Sequence, residues 1–492
     1  MTRRVPQQLP AQATTQRQEP VDLTPFPRRF YSISLGTTIN PRPGHGASSS
    51  VPAARTLVYT IVKAHLLIPG ADDPVRDAAL VAKGRIIVWV GQQDSIPERY
   101  VQEARRTYSV PYLMPGLWDC HAHLMLGGEE EASWPAYLGF VAGQPVANGA
   151  RLARLCWEVL QCGYTSLRDL AGYGCEMAKT IDDGTIPGPN IYSSGACISQ
   201  LAGHGDVFSL PAGDLLLNLG VGQARAGHFA SNPSCIVNGE DECRLAVRLQ
   251  IRRGAKCIKL LASGGVMSSD DDPTYAQFSP GELDVMVDEA TRFNRCVAAH
   301  VHGKPGIMAA VRAGVSTVEH VSFADDECIR LIKQKGVVYV ATREAIELLL
   351  SLGPLLPRET WEKAQLVEGH HMAAYEAAVR AGVTIALGTD AIATLRMARE
   401  LEWAVKAGMS NLEAIRAATA NGPLTVEGQV PKTGQLKPGY EADFIGVLEN
   451  PVQDVRVLQK RDNIKWVWKG GNLFKGPGVG PWGEGERPEE SS

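Results

Sequence analysis

MPGLWDCHAHL, Met114 to Leu124, is an apolar run punctuated by Pro115 and Gly116 that delivers His121 and His123 one residue apart. In an extended strand alternate side chains point the same way, so these two imidazoles would face one point. That is a metal-binding geometry. An isolated His-x-His is more often one core histidine and one surface histidine, and what overturns that reading is company. His300 and His302 in CVAAHVHGK, His320 in STVEHVS, Lys259 in AKCIKLLASGG and Asp390 in VTIALGTDA each stand near the end of a short apolar run. Neutral imidazole and carboxylate suit zinc and similar divalent metals.

Outward from Met114, the pattern over 115–425 alternates short apolar strands with helical segments. GARLARLCWEVLQCG reads as a helix closed by Gly163, YTSLRDL as a strand, CEMAKTI as a helix and NIYSSGA as a third strand. A long insertion follows from Ile198 to Asn238. Helices over 239–253, 280–293, 305–313 and 326–335 then lead into KCIKLLA, CVAAHV, STVEHV and VVYVAT, and a helix over 358–381 precedes the last strand, VTIALGTD. SNLEAIRAATANG closes the region as a helix. Eight strands alternating with helices predict an α/β fold, a (β/α)8 TIM-like barrel. In such a barrel residues far apart in sequence converge at the C-terminal strand ends, where the candidates lie.

The flanks differ. Residues 1–56 are rich in Pro, Ser, Gln and Thr and read as a flexible arm. Over 57–114 short β runs with turn signals at Pro69, Gly70 and Lys83-Gly84 begin a sandwich they cannot complete. Its second half is expected at 426–475, where GQLKPGYEADFIGVLEN and NIKWVWKGGNLF again read as strands, so both chain ends would build one small β-sandwich domain. Residues 476–492 form a tail. A net charge of −4 gives no reason to expect nucleic acid or an anionic membrane as partner. No run reaches the ~18 apolar residues of a membrane span, and the N-terminus lacks the apolar core of a secretory signal. The ten cysteines show no paired spacing, which fits a reduced, cytoplasmic protein.

On the histidine, lysine and aspartate motifs above, the chain resembles the amidohydrolase superfamily of metal-dependent hydrolases, in the branch of Xaa-Pro dipeptidase and imidazolonepropionase-like enzymes. GYTSLRDLAGYGCEMAK, GAKCIKLLASGGVMS, AHVHGKPGIMAA, VVYVATR and WKGGNLFKGPGVGPWGE extend it, and it runs from about Leu57 to Gly483. The resemblance implies a binuclear centre: His121, His123 and Asp390 on one metal, His300 and His320 on the other, zinc being the expected ion. It also implies that Lys259, carbamylated by carbon dioxide, bridges them, and that the protein is a homo-oligomer, with an octamer as precedent. An unmodified lysine, with a pKa of ~10.4, would be a cation beside two cations, and a carbamate removes that conflict. Lys256 is the rival, but in a strand it has the opposite parity to Lys259.

His302 shares the parity of His300, so the residues alone leave the choice of ligand open; the resemblance favours His300 and leaves His302 to contact substrate or support the site. Asp390 would take the proton of the attacking water and pass it to the leaving amine. The expected substrate is a small-molecule amide, an N-acyl amino acid or a dipeptide, cleaved as a carboxypeptidase would. Arg343 is the candidate partner of the free carboxylate, with Tyr339 in support, although it equally suits a charge opening the next helix. His204 in QLAGHGD is a candidate substrate contact or a solvated loop residue. Gly264 and Gly265 either admit close backbone approach or form a plain turn. The alternatives are a cyclic-amide hydrolase or lactonase on the same centre, a mononuclear deaminase, which would dispense with the bridging lysine, and a non-catalytic assembly protein, which would have lost ligands that this chain keeps.

Overall fold

The computed structural model describes residues 59–125, 145–206, 234–390 and 396–483. The arm expected over 1–56, most of the insertion after Ile198 and the loop after His123 beyond Met125 lie outside them.

Both flanks enter one sheet. Strands β1 (Tyr59–Leu67), β2 (Val75–Lys83), β3 (Ile86–Gln92) and β4 (Ala104–Pro115) come from the first flank. The three later strands are Phe444–Val447, Ile464–Lys469 and Asn472–Lys475, and the order across the seven-stranded sheet is third, second, first of these, then β4, β1, β2, β3. β4 pairs antiparallel with the Phe444 strand, Met114 opposite Ile445, and so joins the strands of the two flanks in one continuous sheet. Alternation sorts its faces. Leu113, Phe444 and Trp468 pack with Leu67 and Leu80 in a core of their own, whereas Met114, Ile445 and Val467 join the main core. The sheet is thereby fastened to the site-bearing region by its second face.

That region is parallel. β5 (Leu117–Ala122), β6 (Tyr164–Asp169) and β7 (Asn190–Ser193) form a three-stranded sheet. A six-stranded sheet holds β8 (Cys197–Ser199), β9 (Ser234–Ile236), β10 (Cys257–Leu261), β11 (Cys296–Val301), β12 (Thr317–His320) and β13 (Val338–Val340), in the order β13-β12-β11-β10-β8-β9. The expected third strand is interrupted: NIYS is β7, and CIS is β8 in the other sheet. The expected last strand, VTIALGTD, is not a regular strand, since its one ladder contact is an isolated bridge from Ile385 to Tyr339. Its backbone nevertheless bonds both neighbours. Tyr339 N donates to Thr384 O at 2.9 Å, and Cys120 N donates to Leu387 O at 2.8 Å. Between β7 and β10, Lys256 N donates to Ser193 O at 2.7 Å.

The helices expected from periodicity are present at Pro145–Gln161, Gly174–Asp182, Glu240–Arg253, Pro280–Arg292, Lys304–Ala313, Asp326–Lys335, Arg358–Ala381 and Asn411–Ala417. Ser279 and Ser410 start two of them with capping boxes to Glu282 and Glu413. Helix Arg343–Leu352 is the one that Arg343 was read as able to open, whereas helix Arg399–Lys406 was not anticipated. No helix among the described residues is long and apolar enough to cross a membrane.

Candidate metal centre

Every residue of β5 is buried, and its end is held by carboxylates behind it. Asp119 Oδ1 accepts from His121 N at 2.9 Å and Thr389 N at 3.1 Å, while its Oδ2 accepts from Thr389 Oγ1 at 2.6 Å. Asp390 N donates to His121 O at 2.7 Å, so the turn after the last segment is tied to the His-x-His strand. Asp169, at the end of β6, accepts from Leu124 N at 2.8 Å and from Ser193 Oγ at 2.6 Å. His320, Thr342 and Asp390 have φ of 69°, 56° and 57°, left-handed conformations that non-glycine residues keep only where their surroundings impose them. Glycine is required at 388, because a Cβ there would lie 2.5 Å from His121 N.

These constraints bring the predicted ligands together. Asp390 Oδ1 lies 3.1 Å from His121 Nε2 and 2.8 Å from His123 Nε2. Lys259 Nζ is 3.4 Å from His121 Nε2, and His320 Nδ1 is 3.9 Å from Asp390 Oδ2. The His300 ring stands 4.8 Å from that of His302 and 4.6 Å from that of His320. Two triads, His300, His302 and His320, and His121, His320 and Asp390, each offer ligand atoms within 4.8 Å of one another. His302 is thus as close to the cluster as His300.

Whether this donor set suits a metal can be read from the outward-facing nitrogens. His121 Nδ1 meets Glu319 Oε2 at 2.8 Å, His123 Nδ1 meets Ala171 O at 3.3 Å, and His300 Nε2 meets Gly264 O at 3.1 Å. Carboxylates and carbonyls only accept, so each of these nitrogens carries a proton, and in the neutral ring the other nitrogen keeps a lone pair for a metal. His320 Nδ1 bonds Thr342 Oγ1 at 2.7 Å, and that hydroxyl donates onward to Ala341 O at 2.6 Å, which gives the same result. Four imidazoles so held are arranged as metal ligands are.

The electrostatics agree. Burial pushes His300 and His320 well below the usual histidine range and His302 to about 3, keeping the rings neutral. Burial would raise the Asp390 carboxyl, but His121 and His123 hold it well below its ordinary value. Lys259 is 2% exposed, and burial lowers its pKa against the pull of Glu319 and Asp390, which favours the neutral amine. Lys256 precedes β10 and is exposed.

Sequence reading missed the layer beneath. Glu319 is clamped by Arg168, whose Nη2 donates to Oε1 at 2.8 Å and whose Nη1 donates to Thr317 Oγ1 at 2.9 Å. Arg168, Glu319, Asp119 and Asp169 are all charged residues inside apolar runs, and that is the available signal, because a buried charge requires a partner.

The substrate candidates are placed as follows. His204 stacks on His300, with centroids 4.3 Å apart. The Tyr339 ring stacks on Tyr375 of Arg358–Ala381, and its hydroxyl meets the cluster only through backbone, donating to His320 O at 3.4 Å. Arg343 opens helix Arg343–Leu352, its Nε 2.9 Å from Glu347 Oε1 and its Nη2 3.3 Å from Glu368 Oε1; among the described residues only Nη1 lacks a partner. Glycine 264 meets Asp272 O, where a Cβ would come within 2.1 Å, so the Gly pair serves close approach.

Candidate ligands gathered at strand ends with an acid among them could hold metal for hydrolysis, and the chain belongs to the amidohydrolase family, whose model matches residues 112–474. It is a hydrolase acting on amide bonds. It is 57% identical over 430 residues to ochratoxinase of Aspergillus niger, across 87% of this chain and 89% of that protein. The crystal structure of A. niger ochratoxinase superposes with a TM-score of 0.83 at 55% identity, covering 88% of this chain and 99% of that one. A Xaa-Pro dipeptidase crystallised with methionine in its active site gives a TM-score of 0.74 at 27% identity, over 85% of this chain and 100% of that one. Imidazolonepropionase of Rhodococcus jostii is 26% identical over 81% of this chain and 89% of its own length.

Proposed function

We propose that this is a binuclear metal-dependent amidohydrolase that cleaves N-acyl amino acids and dipeptide-like amides with carboxypeptidase-like selectivity. The observation that carries the reaction class is one cluster in which His121, His123 and His320 stand around Asp390, with buried Lys259 beside His121 and His300 beside His320. His121, His123 and Asp390 would hold one cation and His300 and His320 the other, with His302 in reach of the second. Divalent cations supply a nucleophile at neutral pH by lowering the pKa of water, and they polarise the scissile carbonyl. The amine of Lys259, in its neutral form, can add carbon dioxide and lose a proton, and the resulting carbamate would supply oxygen ligands to help hold the cations. Asp390, charged and within hydrogen-bond reach of two imidazoles, accepts the proton of the attacking water and returns it to the leaving amine. His302 and His204 line the same space.

The hydrogen bonds joining β7 to β10, and segment 384–387 to Tyr339 and Cys120, support reading β5, β6, β7, β10, β11, β12, β13 and that last segment as one eight-stranded barrel, with β8 and β9 additional to it. By its likeness to ochratoxinase, the proposed test substrate is ochratoxin A, hydrolysed to phenylalanine and ochratoxin alpha, and the proposed assembly is a homo-oligomer, an octamer by the same likeness. The second reading, a cyclic-amide hydrolase, draws on the similarity to imidazolonepropionase. A hydrolysis screen decides between them. N-acyl amino acids, dipeptides and ochratoxin A should be cleaved and their C-terminal amides poorly, because a charge-assisted bond to the free carboxylate contributes about twice a neutral one. Preference for lactones or cyclic amides would install the second reading.

A further inference from the structure

A polar relay outside the ligand set ends on His204. Asp271 and Ser268 lie in the segment after β10, and Lys363 reaches them from helix Arg358–Ala381. Lys363 Nζ donates to Asp271 Oδ1 at 2.9 Å and to Ser268 O at 3.0 Å. The pair is buried, with side chains 10% and 3% exposed. Asp271 also accepts from Gly265 N at 2.9 Å and from Ser268 Oγ at 2.5 Å. Ser268 Oγ lies 2.7 Å from His204 Nδ1.

The proton count along this chain has one solution. A carboxylate only accepts, so the single hydroxyl hydrogen of Ser268 is committed to Asp271. The contact between Ser268 and His204 therefore needs its hydrogen from Nδ1. In neutral His204, Nε2 then carries the lone pair. The ring is also fixed in position: it stacks on His300 at 4.3 Å with 19° between planes, His204 N donates to Gln277 Oε1 at 3.0 Å, and a Cβ on residue 265 would fall 2.1 Å from the ring. A buried ion pair such as Lys363 with Asp271 is weak evidence for stability, and here its partners converge on one arrangement around Ser268.

We propose that Lys363, Asp271 and Ser268 lock His204 as the Nδ1–H tautomer against His300, so that its Nε2 accepts a hydrogen bond from the N–H of the scissile amide. This rests on the amide-hydrolase reading, because an amide N–H is the donor such a substrate carries beside its reacting carbonyl. His204 becomes a specificity residue that distinguishes secondary from tertiary amides, and Lys363, Asp271 and Ser268 are its positioning residues.

The lock is tested without substrate. In protein labelled with 15N-histidine, the His204 resonances, identified by their loss in His204→Gln, should report a protonated Nδ1 and a bare Nε2. A wild-type spectrum with the proton on Nε2 overturns the proposal. Ser268→Ala and Lys363→Met should each mix the two tautomers, and an unmixed tautomer in both variants overturns the relay. The acceptor role is read from N-acyl-phenylalanine against its N-methyl counterpart. Loss of one neutral hydrogen bond corresponds to roughly 2- to 12-fold, so wild type should favour the N–H substrate in kcat/KM by that factor more than Ser268→Ala or Gly265→Ala does. An equal preference in wild type and both variants removes the acceptor role. If neither substrate is cleaved, the amide reading fails and the acceptor role with it, while the tautomer lock is decided by the spectra alone.

Discussion

Replacing Glu319 by alanine should destabilise the protein by an amount set mainly by Arg168. Both side chains are 0% exposed and their charges meet at 2.8 Å. The remaining guanidinium would keep Thr317 Oγ1 and Cys120 O as acceptors but no counter-charge. Breaking a buried pair by removing one partner costs about 3–5 kcal/mol. With an unfolding entropy of ~2.1 cal/mol/K per residue over ~430 residues, that is a fall in Tm of roughly 3–6 °C. The melt should be recorded on metal-free protein, since a bound ion adds its own stabilisation. Arg168→Met combined with Glu319→Leu should recover most of the loss, because two apolar side chains leave no charge unpaired. The pH dependence has a defined sign. Burial would raise the Glu319 carboxyl, but Arg168 first and His121 next hold it down to about 2 from an ordinary 4.5. Its contribution is therefore complete above pH 4.5 and disappears as pH falls towards 2, and the alanine variant should lack that part of the acid transition. Because His121 also loses the acceptor of its Nδ1–H, metal affinity should drop ~10–100-fold. An alanine variant that melts with the wild type, or a double variant no more stable than the single, would refute the reasoning.

Three further outcomes are expected. Elemental analysis of the purified protein should find close to two divalent ions per chain, and chelation should abolish hydrolysis; an active preparation with one ion or fewer removes the binuclear reading. Asp390→Asn should keep its melting temperature within a few degrees and lose ~10²–10⁴-fold in turnover, since the amide cannot accept a proton; turnover at the wild-type level would place the base elsewhere, with His302 next. Gly388→Ala should cost about 1–3 kcal/mol of stability, because the new methyl meets immovable backbone at His121 N, and a neutral effect by denaturant titration would contradict the tight approach of the last segment to β5.

The ligands were legible because their signals are local. His121, His300, His320 and Asp390 each stand at the end of an apolar run, and Lys259 is buried in β10 whereas Lys256 lies exposed before it. Arg168 and Glu319 were not legible as partners, being 151 residues apart and joined only when β6 and β12 face each other. The last segment was misread in detail because VTIALG has the composition of a strand, whereas its backbone bonds go to two neighbours without a regular ladder. Strand β4 was hidden by its polar first half, where Arg105, Arg106 and Thr107 are exposed. Helix Arg399–Lys406 was obscured because Glu400 is buried: its carboxylate accepts from Arg343 N and Glu344 N, so its place on the helix is decided by another element.

The seven-stranded sheet has a consequence for biosynthesis. β4 pairs with β1 on one side and, at Tyr112 to Pro115, with the Phe444 strand on the other, so that end of its second edge is completed by residues made about 330 positions later, which at ~5–20 residues per second is a wait of ~15–65 s. Until then a nascent chain presents an open row of backbone donors and acceptors, the kind of edge on which other chains can template. Truncations that remove the Phe444 strand should therefore fail by aggregation before they fail by loss of activity.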